Sequence, residues 1–507
     1  MRCKAAGGRP WIVTWWSDGA SKALLSHWTP DRAEVNATGM KDDFDFVVIG
    51  GGSAGYAAAR TAVSQGLSTA VIDGAETLGG LCILRGCMPS KALIESGNRN
   101  LSIRRAAEFG LQASAAGVDV KAIRDRKRVL IDDFASYRQG QLQDGRFTLV
   151  RGRAQFTGTH KVKVALRDGG EQSIGFKTAC IATGSSVQML PVPGLAEAGF
   201  WTSDDILDAD SLPASFIVIG GGAIALEMAH YLEAIGRRVT IVQRSAGLLS
   251  TLDPECGEVV MEAFRKRGMT VLTDTKMLAV TKTAAGKCIT IEHEGQTIQA
   301  EAEEILVAAG RVPSIEALGL GDAGIESLNK KIAVQPTMQT TLPHVFAAGD
   351  VCSALDVVHI AIQQGEIAAM NAAALIKGEA VNREMDYRMT LFGVFCHPQV
   401  AGVGATEANL KKAGVPYLAA SYPFHDHGKS MVMGETEGFV KLLTHKHTGE
   451  ILGGSAVGPE ATELIHEVVV AMSFRSTARQ LALIPHYHPT LSEIWTYPAE
   501  ELADAVD

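Results

Sequence analysis

From residue 44 onward, short apolar runs alternate with stretches in which small and apolar residues recur at helical spacing. The run Phe44-Asp-Phe-Val-Val-Ile-Gly50 is apolar enough to predict a parallel strand buried on both faces. An alanine-rich stretch through Arg60 to Ser64 predicts the helix that follows it, and a second apolar run closes at Ile72-Asp73. The same strand–helix–strand order returns at Phe216-Ile-Val-Ile-Gly220, a helix from Ala223, and Val239-Thr-Ile-Val-Gln243-Arg244. Strands alternating with helices in this way predict an α/β chain with two doubly wound parallel sheets. Proline and glycine cluster at Pro191-Val-Pro-Gly194, which marks a boundary between the two units. From Asp386 the pattern changes to short strands and helices without glycine-rich turns, as expected of an α+β module. The Arg- and Lys-rich helical stretch from Arg104 to Arg128 reads as a solvated face.

The two apolar strands end in glycines arranged for nucleotide binding. Gly50, Gly52 and Gly55 form Gly-x-Gly-x-x-Gly, with Ser53 and Ala54 opening the helix. Such glycines allow a tight turn, close approach of the backbone to a pyrophosphate, and close helix–strand packing. The free N–H groups of the helix N-terminus then meet the anion. Asp73 lies 23 residues after Gly50, where an acid hydrogen-bonds a ribose hydroxyl. The second fingerprint reads Gly220-Gly-Gly222-Ala223-Ile224-Ala225, with alanine in the position that sets helix–strand packing. Two such units are hard to explain by one ligand. At the end of the second unit's second strand, NAD enzymes place an acid and NADP enzymes an arginine. Gln243 removes the acid and Arg244 can reach a 2′-phosphate, a lean towards NADPH over NADH.

Bulk properties narrow the class. The 507 residues suffice for two to four domains, and 46% are hydrophobic. No apolar stretch approaches the roughly 18 residues of a membrane span. A net charge of -9 disfavours a nucleic acid as main partner. Eight cysteines in a chain this long are no secreted disulfide scaffold, and a single redox pair in a reducing cytoplasm fits better. Residues 1–39 differ from the rest: Trp11, Trp15, Trp16 and Trp28 are four of the six tryptophans, and no secretory signal pattern is present. This segment reads as an over-extended start or a poorly ordered tail, with a genuine extra element as the alternative.

The chemistry centres on Gly79-Gly80-Leu-Cys82-Ile-Leu-Arg-Gly-Cys87-Met-Pro-Ser-Lys91. Uninterrupted helix would separate the two cysteines by about 7.5 Å along its axis, whereas a disulfide wants its Cα atoms about 4.4–6.8 Å apart. Bonding therefore needs a bend or a helix start between them, which Gly86 and Pro89 can supply. Half a metal site and two unrelated buried thiols are the alternatives, although no further Cys or His ligands stand nearby.

Gly-Gly-x-Cys-x4-Cys-x-Pro-Ser-Lys resembles the redox-active motif of the flavoprotein disulfide reductases, a group that includes dihydrolipoamide dehydrogenase, glutathione reductase and mercuric reductase. Leu81 and Leu84 depart from the usual threonine and asparagine. The resemblance spans residues 42–507 and implies that the first glycine unit holds FAD. Its further FAD positions match Gly80, Lys91, Ala154, Thr183, Gly184, Asp350 and Ala361, while His359 is as readily a packing residue. It implies NAD or NADP on Gly220, Gly222, Ala223, Ile224, Gln243, Arg244 and Gly310. It also implies an FAD-binding domain at 40–190 and 308–385, an inserted NAD(P)-binding domain at 191–307, and a dimerisation domain at 386–507.

By the same resemblance Cys87 is the thiol beside the flavin and Cys82 the interchange thiol. Lys91 pairs with Glu227 next to the flavin, and His488 with Glu493 forms a base that reaches the disulfide of the other subunit in a homodimer. The stretch His486-Tyr-His488-Pro-Thr-Leu-Ser-Glu493 most resembles dihydrolipoamide dehydrogenases. The implied substrate is (dihydro)lipoamide, free or on a lipoyl protein. An NADPH-dependent reductase of another small disulfide, a quinone or a metal ion is the alternative, and a non-catalytic flavin-binding subunit a second. No cysteine pair near the C-terminus supports a mercuric reductase. His425 and His427 read as a solvated turn without a metal role.

Overall fold

The protein is described here as a computed structural model covering residues 43–113 and 117–506; the expectation for residues 1–39 lies outside them. Strand β1 (Asp43–Ile49) runs parallel to β2 (Thr69–Asp73), with Phe46 opposite Thr69 and Ile49 opposite Ile72. Helix α1 (Ser53–Ser64) makes the crossover between them. After the short helix α2 (Leu81–Leu84) and the long helices α3 (Cys87–Arg104) and α4 (Val120–Leu142), strand β3 (Thr148–Gly158) adds parallel to β2. Strands β4 (Lys161–Leu166) and β5 (Glu171–Ile181) then continue as an antiparallel meander. The sixth strand, Val345–Ala347, returns from far along the chain and lies parallel to β5. The first sheet is therefore assembled from two separated stretches of sequence.

Alanine dominates α1 because another helix lies almost on its backbone. The helix Val358–Lys377 crosses it where Gly365 meets Ala54, and any side chain on Gly365 would overlap the Ala54 carbonyl oxygen. Ala58, Ala62, Ala368, Ala369 and Ala372 are fully buried in the same core.

Between the two parts of the first sheet lies the second. Strands Glu304–Val307, Ser215–Ile219, Arg238–Val242 and Thr270–Leu272 form a four-stranded parallel sheet in that order. An antiparallel three-stranded sheet, Lys276–Thr283, Gly286–His293 and Gln296–Ala302, accompanies it. The chain leaves and re-enters the first unit side by side, since Ser185–Val187 pairs antiparallel with Arg311–Pro313. The C-terminal module is a five-stranded antiparallel sheet, Leu391–Val394 to Gln399–Gly404 to Ile451–Gly458 to Phe439–His445 to Tyr417–Pro423. Lys441 ties it to the second unit, bonding Glu407 at 2.6 Å, Asp253 at 3.0 Å, and Glu255.

The basic stretch does not form a solvated face throughout. Arg124 and Lys127 are only 7% and 4% exposed. Arg124 pairs with Asp125 and Asp210, and Lys127 with Asp208 at 2.8 Å. Asp208 and Asp210, more than 80 residues along the chain, complete the pairing that offsets the burial, and a local reading could not have located them. Among the described residues no helix is long and apolar enough to cross a membrane.

Candidate active site

A cavity of about 860 Å³ opens along the carboxyl ends of β1 and β2 and runs to the two cysteines. Its glycines divide by function. Any side chain on Gly50 would overlap the Ala182 carbonyl oxygen, and one on Gly55 the Gly50 carbonyl oxygen, so both serve close packing. Gly52 differs: a Cβ there would meet nothing nearer than Gly80 Cα at 3.9 Å, so its bare backbone faces the cavity. Gly52 also stands at the N-cap of α1 and offers no side chain to cap it, leaving first-turn N–H groups for an anion. Gly80, across the cavity mouth, takes a φ of +77° to approach it.

Carboxylates sit at both ends of this cradle. Asp73 accepts from the N–H of Gly51 and of Ala75, each at 2.8 Å, which fixes its position at the end of β2. Asp350 accepts from Ser185 Oγ at 2.5 Å, and Arg311 Nε donates to the same Oγ at 2.8 Å. Ser53, Ala54, Ala154, Thr183, Gly184 and Ala361 also line the cavity. An elongated molecule with a central diphosphate and hydroxyls towards its ends fits these groups, as FAD requires. His359 lies just outside the lining, with its Nε2 buried and unpartnered among the described residues.

At the far end the redox loop breaks where bonding demands it. Helix α2 stops at Leu84, Arg85 and Gly86 turn the chain, and α3 starts at Cys87 with Pro89 in its first turn. The two sulfurs face each other as thiols. Cys87 is held down to about 7, first because the Cys82 thiol hydrogen-bonds to it and then because the Lys91 ammonium is close, while burial and, more weakly, Glu227 oppose the shift. Cys82, on the other side of that bond, is pushed upward. Lys91 Nζ donates to both oxygens of Glu227, at 2.9 and 2.8 Å, and lies 4.6 Å from the centre of the Phe395 ring. Glu227 is 5% exposed and also accepts from Phe395 N–H at 3.1 Å.

Two arginines near the loop escaped the sequence reading. Arg85 Nη1 lies 3.6 Å from Asp204 Oδ2. Arg138 stacks 3.9 Å above the Tyr56 ring, within electrostatic reach of Cys82. Arg85 stands where it could have been noticed, between the cysteines. Arg138 carries no local signal.

The second fingerprint repeats the first with one change of charge. Gly220 has a φ of +131° and is closed off by the Ala308 carbonyl. Gly222, at the uncapped start of the helix Ala223–Ala234, faces open space, with Ala223 and Ile224 in the first turn. A Cβ on Gly221 would sit 2.8 Å from Gln243 Cδ, just as one on Gly51 would sit 2.8 Å from Asp73 Oδ2. Gln243 thus occupies the acid's place without its charge, and Arg244 beside it is exposed. Gly310, with a φ of +120°, accepts from Gln188 N–H at 3.0 Å where the chain recrosses between units. These residues fit a nicotinamide dinucleotide.

His488 and Glu493 meet, with Nδ1 3.0 Å from Oε2, on a segment whose histidine is 79% exposed and whose glutamate is 13% exposed. His488 does not line the cavity that holds Cys82 and Cys87. The solvated-turn expectation holds for His425 and fails for His427, which has no exposed surface. His427 sits under the C-terminal segment, with Nδ1 2.8 Å from Ser430 Oγ and Nε2 3.4 Å from Glu493 Oε1.

Residues 44–365 match the family model described as pyridine nucleotide-disulphide oxidoreductase, and residues 392–499 match that family's dimerisation domain. The chain belongs to the pyridine nucleotide-disulphide oxidoreductases. Curated relatives of this oxidoreductase include the dihydrolipoyl dehydrogenase of Bacillus subtilis, 33% identical over 90% of this chain and 97% of the relative. The dihydrolipoyl dehydrogenase of Mycobacterium bovis is 34% identical over 89% of this chain and 96% of its own. Among solved structures, LpdA from Mycobacterium tuberculosis superposes with a TM-score of 0.80 at 28% identity, covering 90% of this chain and 99% of LpdA. The Escherichia coli flavoprotein disulfide reductase RclA, in its Cu(II) complex, shares the fold with a TM-score of 0.78 at 23% identity, over 91% of this chain and all of RclA's. FAD and NAD(P) are the cofactors of this family, and the two glycine cradles fit them.

Proposed function

We propose that this oxidoreductase is a dihydrolipoamide dehydrogenase, working as a homodimer in which His488 of one subunit serves the cysteines of the other. The observation that carries the reading is the thiol pair at the end of the cavity, with Cys87 the more acidic member. When bound, FAD supplies the two-electron acceptor next to Cys87 and NAD(P) the final one. The protein's own residues manage sulfur and protons. His488 takes a proton from the substrate dithiol, with Glu493 orienting the ring and stabilising its cation. The substrate thiolate attacks Cys82 of the oxidised Cys82–Cys87 pair, and the S–S bond breaks with its electrons on Cys87. Cys87 leaves readily because its pKa is low. The second substrate thiol, deprotonated in turn, closes the substrate disulfide and releases Cys82. Two electrons have then left the dithiol for the cysteine pair.

Lys91, ion-paired with Glu227, places its ammonium beside the departing Cys87 thiolate, and Glu227 offsets part of that effect. The domain roles follow: residues 40–190 and 308–385 hold FAD, 191–307 the nicotinamide nucleotide, and 386–507 the dimer contact. A redox pair with no structural disulfide among the described residues suits a reducing cytoplasm. The test is steady-state turnover of the FAD-loaded protein. Dihydrolipoamide with NAD⁺ or NADP⁺ is compared with lipoamide, glutathione disulfide and a quinone under NADH or NADPH. Fast dihydrolipoamide oxidation supports the reading. A second reading, an NADPH-driven reductase of another small disulfide, has Gln243 and Arg244 in its favour; weak lipoamide activity with strong NADPH preference would select it.

A further inference from the structure

Glu493 lies between two histidines. Its Oε2 meets His488 Nδ1 at 3.0 Å, and its Oε1 lies 3.4 Å from His427 Nε2, a buried nitrogen that has no hydrogen-bond partner among the described residues. His427 is enclosed completely, and Tyr497, itself stacked on Tyr422 at 3.9 Å, stands edge-on to its ring. The charged and titratable groups around it are Glu493, His488 and Tyr497, with the Ser430 hydroxyl on its Nδ1. Burial keeps the imidazole below its usual range, so it is neutral at pH 7. A neutral imidazole carries one N–H and one acceptor. In the tautomer whose Nδ1 accepts from Ser430 Oγ, the N–H lies on Nε2, the nitrogen nearest the carboxylate.

We propose that His427 is a positioning residue for the thiol base: it fixes the Glu493 carboxylate so that Oε2 receives His488 Nδ1–H, leaving His488 Nε2 as the proton acceptor. The proposal rests on the disulfide-oxidoreductase reading of the site. His488 is 79% exposed and Glu493 is its one side-chain partner among the described residues, so its ring orientation depends on that carboxylate. A carboxylate bonded through one oxygen can rotate; a buried imidazole nitrogen 3.4 Å from the other oxygen opposes that rotation. Because His427 stays neutral, it adds no positive charge against the imidazolium that forms on His488.

His427→Phe keeps the buried ring and deletes both nitrogens, while His427→Gln keeps an N–H donor at similar reach. Anaerobic rapid mixing separates reduction by dihydrolipoamide, which needs the base, from reduction by NADH or NADPH, which does not. His427→Phe is expected to slow the dithiol reaction about tenfold or more, the effect of losing one hydrogen bond to a charged group. It leaves the nicotinamide reaction near wild type. The acid limb of the dithiol pH profile shifts, and alkylation of Cys82 by iodoacetamide in the reduced protein slows at neutral pH. His427→Gln restores most of the dithiol rate. A His427→Phe protein with the wild-type dithiol rate and pH profile overturns the proposal, as does a His427→Gln protein damaged as severely as His427→Phe. A wild-type protein that lacks the dithiol reaction but accepts electrons from NADH or NADPH overturns the underlying reading instead, and the proposal falls with it.

Discussion

Replacing Lys91 by methionine removes a cation from beside Cys87 and strands an anion next to it. Glu227, 5% exposed, loses both bonds from Lys91 Nζ and keeps only the Phe395 N–H at 3.1 Å. Breaking a buried ion pair from one side costs about 3–5 kcal/mol. Lys91 is itself 30% exposed, so the lower end, about 3 kcal/mol, applies. That is a large share of a stability of about 5–15 kcal/mol. Lys91→Met/Glu227→Leu removes the stranded charge as well and should recover to within about 1 kcal/mol of wild type.

The thiol responds differently from the stability. Cys87 is lowered to about 7 by its bond with Cys82 and by Lys91, with Glu227 pulling the other way. The single variant loses the cation and keeps the opposing anion, so its Cys87 ionises at higher pH, towards or past the usual value of about 8.5. The double variant loses both influences and falls between. The assays are guanidinium unfolding for stability, and the ultraviolet absorbance of the thiolate against pH in reduced, FAD-free protein, with Cys87→Ser subtracted. A single variant as stable as the double, or a thiolate curve that does not move, would refute the reasoning.

Three further outcomes are expected. Gly52→Val should fold yet purify with little flavin, because its side chain meets only cavity, whereas Gly55→Val should fail to fold because it collides with the Gly50 carbonyl; flavin absorbance per polypeptide and soluble yield distinguish them. Gln243→Glu combined with Arg244→Leu should lower kcat/KM for NADPH about tenfold or more relative to NADH, since it places a like charge against a 2′-phosphate; steady-state kinetics with both nucleotides checks this. Lys441→Met leaves Asp253, Glu255 and Glu407 without their shared cation, at a cost of about 3 kcal/mol near neutrality. Lys441 holds Glu407 below the usual carboxylate range, so this part of wild-type stability is present above about pH 4.3 and fades as pH falls through the lower folded value. The deficit of the variant should therefore shrink on acidification, as unfolding midpoints measured against pH will show.

What could be read from the sequence was whatever the chain states locally. The glycine turns announce themselves because only glycine fits at Gly50 and Gly220, and the helix break between Cys82 and Cys87 follows from bond geometry together with Gly86. Contacts between distant segments were a different matter. Lys91 and Glu227 lie 136 residues apart and were paired by family resemblance alone. Arg124 and Lys127 look like surface charge until Asp208 and Asp210 are brought over them. His427 sits in Phe-His-Asp-His-Gly-Lys-Ser, a polar run with every mark of a turn, yet it is buried, with Glu493 and Tyr497 of the C-terminal segment against its ring. Polarity along the chain reports what a residue could tolerate, and packing decides what it meets.

The most direct measurement is an anaerobic single turnover without nucleotide. Oxidised, FAD-loaded protein receives one equivalent of dihydrolipoamide, is quenched with iodoacetamide, and its cysteine peptides are mapped by mass spectrometry while lipoamide is quantified. Lipoamide formed in proportion to protein, with label on Cys82 in the wild type and no lipoamide from Cys87→Ser, is the expected result. Unlabelled cysteines in the wild type, or equal lipoamide from Cys87→Ser, would contradict electron transfer through this pair.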